Sequence, residues 1–308
     1  MASDWVISEL LGSGSNAKVY LARSPFRLLP DMAVKSSVFS ESLSLHREKA
    51  ILDILEGCRE IVACYGFQET IIQGEKYYDL LLEYAPRGTL ADLINNRGGK
   101  LSEAEVKVYS RMILKGLCYI HDKGYVHCDI KPANILVFPS FSSCGVENQV
   151  KIADFGNSKK AGHIFVGGYV FGKFRCTPLY TSPESVKLGL NEAPMDIWSL
   201  GCVMVEMFSG KPAWSFENVY DLLFQIGFGE EVPHIPEGFS ENAKNFLKKC
   251  LVKDPNQRWT AKMLLNHPFM VEDEPLPSLK KASRVVQHRV CDPFKNWDEA
   301  KLINYLFS

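Results

Sequence analysis

Between Trp5 and Leu82 the apolar positions come in short runs, Trp5–Leu11, Lys18–Ala22, Met32–Ser36, Ile61–Gln68 and Tyr77–Leu82, with Gly, Pro and Ser between them. Such runs read as strands. One stretch breaks the pattern: from Ser42 to Gly57, Glu48, Ile51, Leu52 and Leu55 fall at i, i+3, i+4 and i+7. That spacing predicts a helix with a carboxylate on the same face as three aliphatic side chains. A Glu turned inward needs a cationic partner.

After Gly88 the period becomes helical, first through Val106, Tyr109, Ile113, Leu117 and Ile120, later through Ile197, Leu200, Gly201, Met204, Val205 and Phe208. Gly210 and Pro212 mark the end of the second helix. Two short strands are expected between them, at Ile135–Phe138 and Val150–Ala153, followed by an irregular Gly-rich segment from Asn157 to Thr181. Long irregular segments in compact domains are usually functional or disordered. The pattern predicts a small strand-rich lobe joined to a larger helical one, with a ligand in the crevice between them. No internal repeat is visible.

Composition narrows the class. The chain has 308 residues, 46% apolar and 23% charged, which suits one large domain or two lobes and excludes wholesale disorder or a fibre. Thirty-five Lys and Arg against 36 Asp and Glu give a net charge of -1, so no bulk field attracts nucleic acid or an anionic membrane. The nine cysteines form no C-x-x-C pair and have no His at zinc-ligand spacing, the usage of a reducing compartment. With no membrane-length apolar run, no signal peptide pattern and no Gly at position 2 for myristoylation, a cytoplasmic or nuclear location without stable membrane insertion is expected. Residues 271–308 differ again and read as a tail, in which Lys280, Lys281 and the segment Trp297–Phe307 are candidate docking elements, although a solvated charge run and a terminal helix explain them more simply.

The chemistry is concentrated in a few places. Gly12-Ser-Gly14-Ser-Asn-Ala17-Lys-Val19 follows a predicted strand, and its glycines let backbone amides approach phosphate oxygens. Alone it is no more than a Gly-rich hairpin turn. Lys35 shares a strand face with Ala33 and is the natural partner for Glu48. The decisive stretch is His127-Cys128-Asp129-Ile-Lys131-Pro-Ala-Asn134, with Asp154-Phe155-Gly156 further on. These residues supply what phosphoryl transfer to a hydroxyl needs: Asp129 to accept the proton, Asn134 and Asp154 as hard oxygen ligands for Mg²⁺, and Lys131 to offset charge on the moving group.

From Trp5 to Phe269 the sequence resembles a eukaryotic protein kinase. The resemblance rests on the Gly-rich loop, Val-Lys35, Glu48, His127-x-Asp129 with Asn134, Asp154-Phe-Gly, Ser182-Pro183-Glu184, Asp196-Ile-Trp198-Ser-Leu-Gly201 and Asp254-Pro-x-x-Arg258, in the family's order. It implies an α+β bilobal protein kinase fold, a β-rich N-lobe at 1–83 with one regulatory helix, a mainly helical C-lobe at 84–270 and the tail at 271–308. By similarity, Gly12 and Gly14 would cover the phosphates of ATP, Leu11, Val19, Ala33 and Leu136 would sandwich the adenine, and Leu82 would be the gatekeeper. The backbones of Glu83 and Ala85 would bind its edge, and Thr177 would bridge Lys131 and Asp129. Glu184 and Arg258 would form a buried ion pair, and Asp196 would anchor the catalytic loop.

Asp-x-Lys131-Pro-x-Asn134 with Thr177-Pro178 resembles Ser/Thr kinases rather than tyrosine kinases. Val-His-Cys-Asp-Ile-Lys-Pro-x-Asn, Tyr-Thr-Ser-Pro-Glu-Ser and Leu-Glu-Tyr-Ala-Pro-x-Gly-x-Leu resemble plant mitogen-activated protein (MAP) kinase kinase kinases of the MEKK type, which implies a MAP kinase kinase as protein substrate. Two readings compete: a receptor-like cytoplasmic kinase with other substrates, and a catalytically silent kinase-fold scaffold. Against the scaffold, the Lys, the Glu, both Asp and the Asn are all present.

Three departures from the family pattern matter. Ala17 replaces the third Gly of the loop, and Ser182 stands where Ala is usual. Cys128 replaces the Arg that usually precedes the catalytic Asp and belongs to a basic pocket neutralised by an activation-loop phosphate. Activity is therefore expected to depend weakly on phosphorylation of that loop. A redox role for Cys128 or Cys176 is disfavoured, because the Asp129 carboxylate opposes a thiolate on its neighbour.

Overall fold

The computed structural model describes residues 5–14, 17–24, 30–142, 145–163 and 177–271. Cys176, Lys280, Lys281 and the segment Trp297–Phe307, singled out above, lie outside the described residues. A five-stranded antiparallel sheet forms the first lobe, from β1 (Val6–Ser13), β2 (Lys18–Arg23), β3 (Met32–Val38), β4 (Cys64–Ile72) and β5 (Glu75–Glu83), in the order β1-β2-β3-β5-β4. Helix α1 (Leu43–Ile54) sits between β3 and β4 in the chain and buries Leu45, Glu48, Ile51 and Leu52. Its inward face is the one the spacing predicts, carboxylate included.

The strand expected from Ile61 begins instead at Cys64. Ile61 and Val62 are buried in the core, and their backbone pairs with the second lobe: Val62 N–H donates to Ile152 O (3.0 Å) and Ile152 N–H to Glu60 O (2.8 Å). An apolar run alone cannot tell which neighbouring strand it will join. Here it stitches the lobes together.

The second lobe follows with α2 (Leu90–Asn96), α3 (Glu103–Asp122), β6 (Tyr125–Val126), β7 (Ile135–Ser142), β8 (Gly145–Ile152), β9 (Lys159–Lys160), α4 (Pro183–Leu188), α5 (Ala193–Ser209), α6 (Val219–Phe228), α7 (Glu241–Cys250) and α8 (Ala261–Leu265). Thr89 with Asp92 and Ser102 with Glu105 close reciprocal capping boxes at the starts of α2 and α3, satisfying amides that the helices leave orphaned. Helix α5 is apolar nearly all round, with Trp198, Leu200, Cys202, Val203 and Met204 fully buried, so it forms the centre of this lobe. It ends where predicted, at Gly210, whose φ of 73° suits glycine and whose missing Cβ would run into the carbonyl oxygen of Gly99.

Strands β7 and β8 are longer than predicted, because ladder pairing continues past the apolar run through positions such as Pro139↔Asn148 and Ser140↔Glu147. Backbone bonding carries a hairpin past the end of its apolar run. β6 and β9 form a two-stranded sheet of their own, Tyr125 opposite Lys160 and Val126 opposite Lys159. The loop leaving β6, the segment that runs from β8 into β9 and the turn before β7 build the site.

Candidate active site

Lys35 lies on β3, opposite Val19 on one side and Leu80 on the other. Its Nζ donates to Glu48 Oε2 (2.6 Å) and, across the crevice, to Asp154 Oδ1 (2.9 Å). Glu48 is fully buried, and its other oxygen accepts the Phe155 N–H (3.1 Å). Burial pushes the Glu48 carboxyl up, opposed by Lys35. Burial also works against charge on Lys35, but Glu48 and Asp154 outweigh it and hold the ammonium above its ordinary pKa. For Asp154, burial is overcome by the charge and hydrogen bond of Lys35, which leave the carboxyl below its usual range. Lys35 and Asp154 thus favour each other's charged forms, while burial works against charge on Glu48.

The loop after β6 is held from beneath. Asp196, on α5 and fully buried, accepts the backbone N–H groups of His127 and Cys128, both at 2.9 Å, and stands 2.9 Å from His121 Nε2. Burial would raise its pKa, but the hydrogen bond and charge of His121, with the charge and amide of His127, keep it low. The grip holds Cys128 at φ 67° and so turns the chain sharply before Asp129. Asp154 is likewise left-handed, at φ 65°. Both key aspartates therefore sit at or directly after backbone conformations that cost energy, which neighbouring contacts enforce.

Asp129 is ringed by donors. Lys131 Nζ lies 2.8 Å from its Oδ2 and 2.8 Å from Thr177 Oγ1, while Thr177 Oγ1 donates to Asp129 Oδ1 at 3.0 Å. Asn134 Nδ2 donates to Asp129 O (2.9 Å) and Oδ2 (3.0 Å), which leaves its amide oxygen available as a hard ligand. Asn157, one residue past the Asp154–Gly156 stretch, reaches Asp129 Oδ2 at 3.4 Å. His127 Nδ1 accepts the Asp129 N–H (3.2 Å) and Nε2 faces Ala153 O (3.1 Å), tying the two loops together.

At the roof, Ala33 pairs with Leu82 on β5 and both are buried, while Val19 and Leu136 pack half-buried on the core and Leu11 is exposed. The Glu83 N–H already donates to Ala63 O (2.9 Å), so a ligand at this residue can use the carbonyl but not the amide. The Ala85 carbonyl accepts Gly88 N–H (3.1 Å). Gly14 N–H closes its turn onto Ala17 O (2.8 Å). Among the described residues a Cβ at Gly12 would meet nothing within 4 Å, so packing there gives no reason for glycine, whereas a closely approaching phosphate would. Two oxygen-bearing side chains, Asn134 and Asp154, also fit Mg²⁺, which usually takes one or two protein ligands and completes its shell with water and phosphate.

Glu184 and Arg258 form a buried bidentate pair (2.7 and 3.0 Å), and Arg258 also donates to Pro194 O (2.7 Å), joining α4 to the start of α5. Several contributors were not singled out from sequence. They are His121 and Asn157, Lys151, which grips the Glu83 carboxylate (2.6 Å), and the pair Lys159–Glu192 (2.6 Å). For Asn157, adjacency to Asp154-Phe155-Gly156 was a usable signal. The others depend on chain segments far apart in sequence.

A family model described as the protein kinase domain matches residues 5–270. Three curated proteins of Arabidopsis thaliana are similar over most of their length. Mitogen-activated protein kinase kinase kinase 20 is 41% identical across 97% of this chain and 90% of its own. Kinase kinase kinase 17 is 40% identical across 87% and 69%, and kinase kinase kinase 18 is 39% identical across 88% and 79%. With the family model spanning nearly all described residues and the relatives aligned over 87–97% of this chain, the chain belongs to the protein kinase family.

Proposed function

We propose that this chain is a Ser/Thr MAP kinase kinase kinase that transfers the γ-phosphoryl group of ATP to a hydroxyl in a MAP kinase kinase. The observation that carries the reading is the triangle of Asp129, Lys131 and Thr177, whose side chains contact one another at 2.8–3.0 Å. The names of the relatives support the place in a cascade.

In this reading Asp129 accepts the hydroxyl proton of the protein substrate, and the ring of donors fixes its carboxylate toward that hydroxyl. Lys131 stands beside it to offset charge on the transferred group. Thr177 holds both, so the loop that receives the substrate is tied to the base. Lys35, kept charged by Glu48, grips ATP phosphates, while Leu11, Val19, Ala33 and Leu136 enclose the adenine and the Glu83 carbonyl and Ala85 amide meet its edge. Gly12 and Gly14 leave room for phosphate. Asn134 and Asp154 would hold Mg²⁺, which supplies charge neutralisation on the phosphates when bound. The lobes are proposed to divide at 83/84, and residues 271–308 to be an appendage to the catalytic unit. No helix among the described residues is long and apolar enough to cross a membrane.

The test offers purified protein labelled ATP and two acceptors, a kinase-dead MAP kinase kinase and a generic basic protein. Label on Ser or Thr of the MAP kinase kinase supports the reading. Label only on the basic protein would keep a kinase and reject the cascade position.

A further inference from the structure

Helix α5 opens with two carboxylates, and only Asp196 holds the loop that carries Asp129. Four residues before Asp196, at the residue that caps the helix, Glu192 turns toward β9. Its Oε1 accepts from Lys159 Nζ at 2.6 Å, and Gly162 N–H reaches Oε1 and Oε2 at 3.2 and 3.1 Å. Lys159 Nζ also donates to His163 O (2.9 Å). The lysine is the buried partner, its side chain 5% exposed against 40% for Glu192. A cation so enclosed is costly unless a counter-charge stays in place.

The neighbours give the pair its meaning. Lys159 lies opposite Val126 in the small β6–β9 sheet. Cys128, two residues further on, is buried with Val126 and Met195 in a small apolar cluster, and Met195 N–H donates to Glu192 O (2.8 Å). The position where a kinase of this kind usually carries Arg is thus apolar, and the adjacent cation already has an internal counter-ion. Asp196 holds the amides at the end of β6, and Glu192 holds the lysine of β9 and the turn after it. One helix start therefore grips the strand from which the Asp129 loop leaves and the strand into which the Asp154 loop runs.

We infer that Glu192 is a positioning residue that neutralises Lys159 from within the fold, so that the corner leading out of the Asp154 loop keeps its transferring arrangement without a phosphoryl group on the activation segment. The catalytic consequence rests on the kinase reading above; the clamp itself does not.

The test compares the full chain with Glu192→Gln, Lys159→Met and the double variant, each with and without phosphatase treatment. Hydrogen exchange in peptides covering 159–163 is followed alongside kcat and the KM for ATP. Glu192→Gln is expected to speed exchange there at least tenfold and to lower kcat about tenfold, with the KM for ATP within twofold. In the Lys159→Met background the same change should do nothing further, because no buried cation remains to neutralise. That comparison also serves if Glu192→Gln alone fails to fold. Additive effects of the two changes, or exchange and kcat unaltered in Glu192→Gln, would overturn the inference. So would a wild-type chain whose kcat collapses on phosphatase treatment. Protection at 159–163 that depends on Glu192 in a wild-type chain inactive toward every acceptor would support the clamp and reject the kinase reading.

Discussion

Lys35 Nζ and Asp154 Oδ1 lie 2.9 Å apart across the crevice although 119 residues separate them in the chain. One cation thereby joins β3 of the first lobe to the loop of the second that carries a proposed metal ligand. Glu48 completes the link from α1, holding Lys35 with one oxygen and Phe155 N–H with the other. The position of α1 is thus read directly into the position of Asp154, so a displacement of this helix would loosen both the proposed phosphate grip and the proposed metal ligand.

Removing Glu48 should therefore be costly twice over. Glu48→Ala leaves Lys35 and the Phe155 amide short of a buried partner, and breaking such a pair costs about 3–5 kcal/mol. Denaturant unfolding should show that loss, while kcat falls more steeply than stability alone explains. Unchanged unfolding would mean that the pair adds nothing to the fold.

Thr177 offers a separation of charge from hydroxyl. Thr177→Val keeps the shape and deletes the Oγ1 that meets both Lys131 and Asp129. A fall in kcat of about 10²-fold is expected, of the size typical when a positioned polar group is lost from a transfer site. Thr177→Ser should restore most of it. Equal losses in both variants would show that the hydroxyl bridge is not what matters.

Asp196 predicts a pH dependence. Its folded pKa lies below the unfolded value, so ionised Asp196 contributes stability that is fully present above the unfolded pKa of about 3.9 and is lost as pH falls through the folded value. Unfolding measured between pH 7 and pH 3 should show wild type losing stability at the acid end more steeply than Asp196→Asn, which has no carboxylate to protonate. Parallel curves would contradict the shift.

Helix α5 packs closely enough that one methyl group should register. A Cβ at Gly201 would meet Leu251 Cδ2 at 2.8 Å and Cys250 Cβ at 3.0 Å. Overpacking of this kind costs about 1–3 kcal/mol. Gly201→Ala should lower the unfolding midpoint accordingly, with the KM for ATP unchanged because the contact lies away from the crevice.

Much of the site was legible because each residue belongs to a local motif. Asp129, Lys131 and Asn134 lie within six residues of one another, and Glu48 betrayed itself as a carboxylate on an apolar helix face. The period of α3 and the end of α5 at Gly210 were readable for the same reason, since periodicity and helix-stop signals are local. What escaped was long-range. The backbone pairing of Ile61 and Val62 with β8, the polar continuation of β7 and β8, and the pair Lys159–Glu192 depend on which segments meet in space. A lysine beside a lysine on a short strand and a glutamate before a helix carry no mark of their partnership. The resemblance supplied Thr177 and the pair Glu184–Arg258, which spacing alone would have left as surface residues.

The most direct test of the account is single-turnover transfer from labelled ATP to the protein acceptor by wild type and Asp129→Asn, with ATP affinity measured in parallel. The account predicts that the variant binds ATP within about threefold of wild type and transfers phosphate at least about 10²-fold more slowly. Transfer at the wild-type rate by Asp129→Asn would contradict the assignment of the base and, with it, the proposed mechanism.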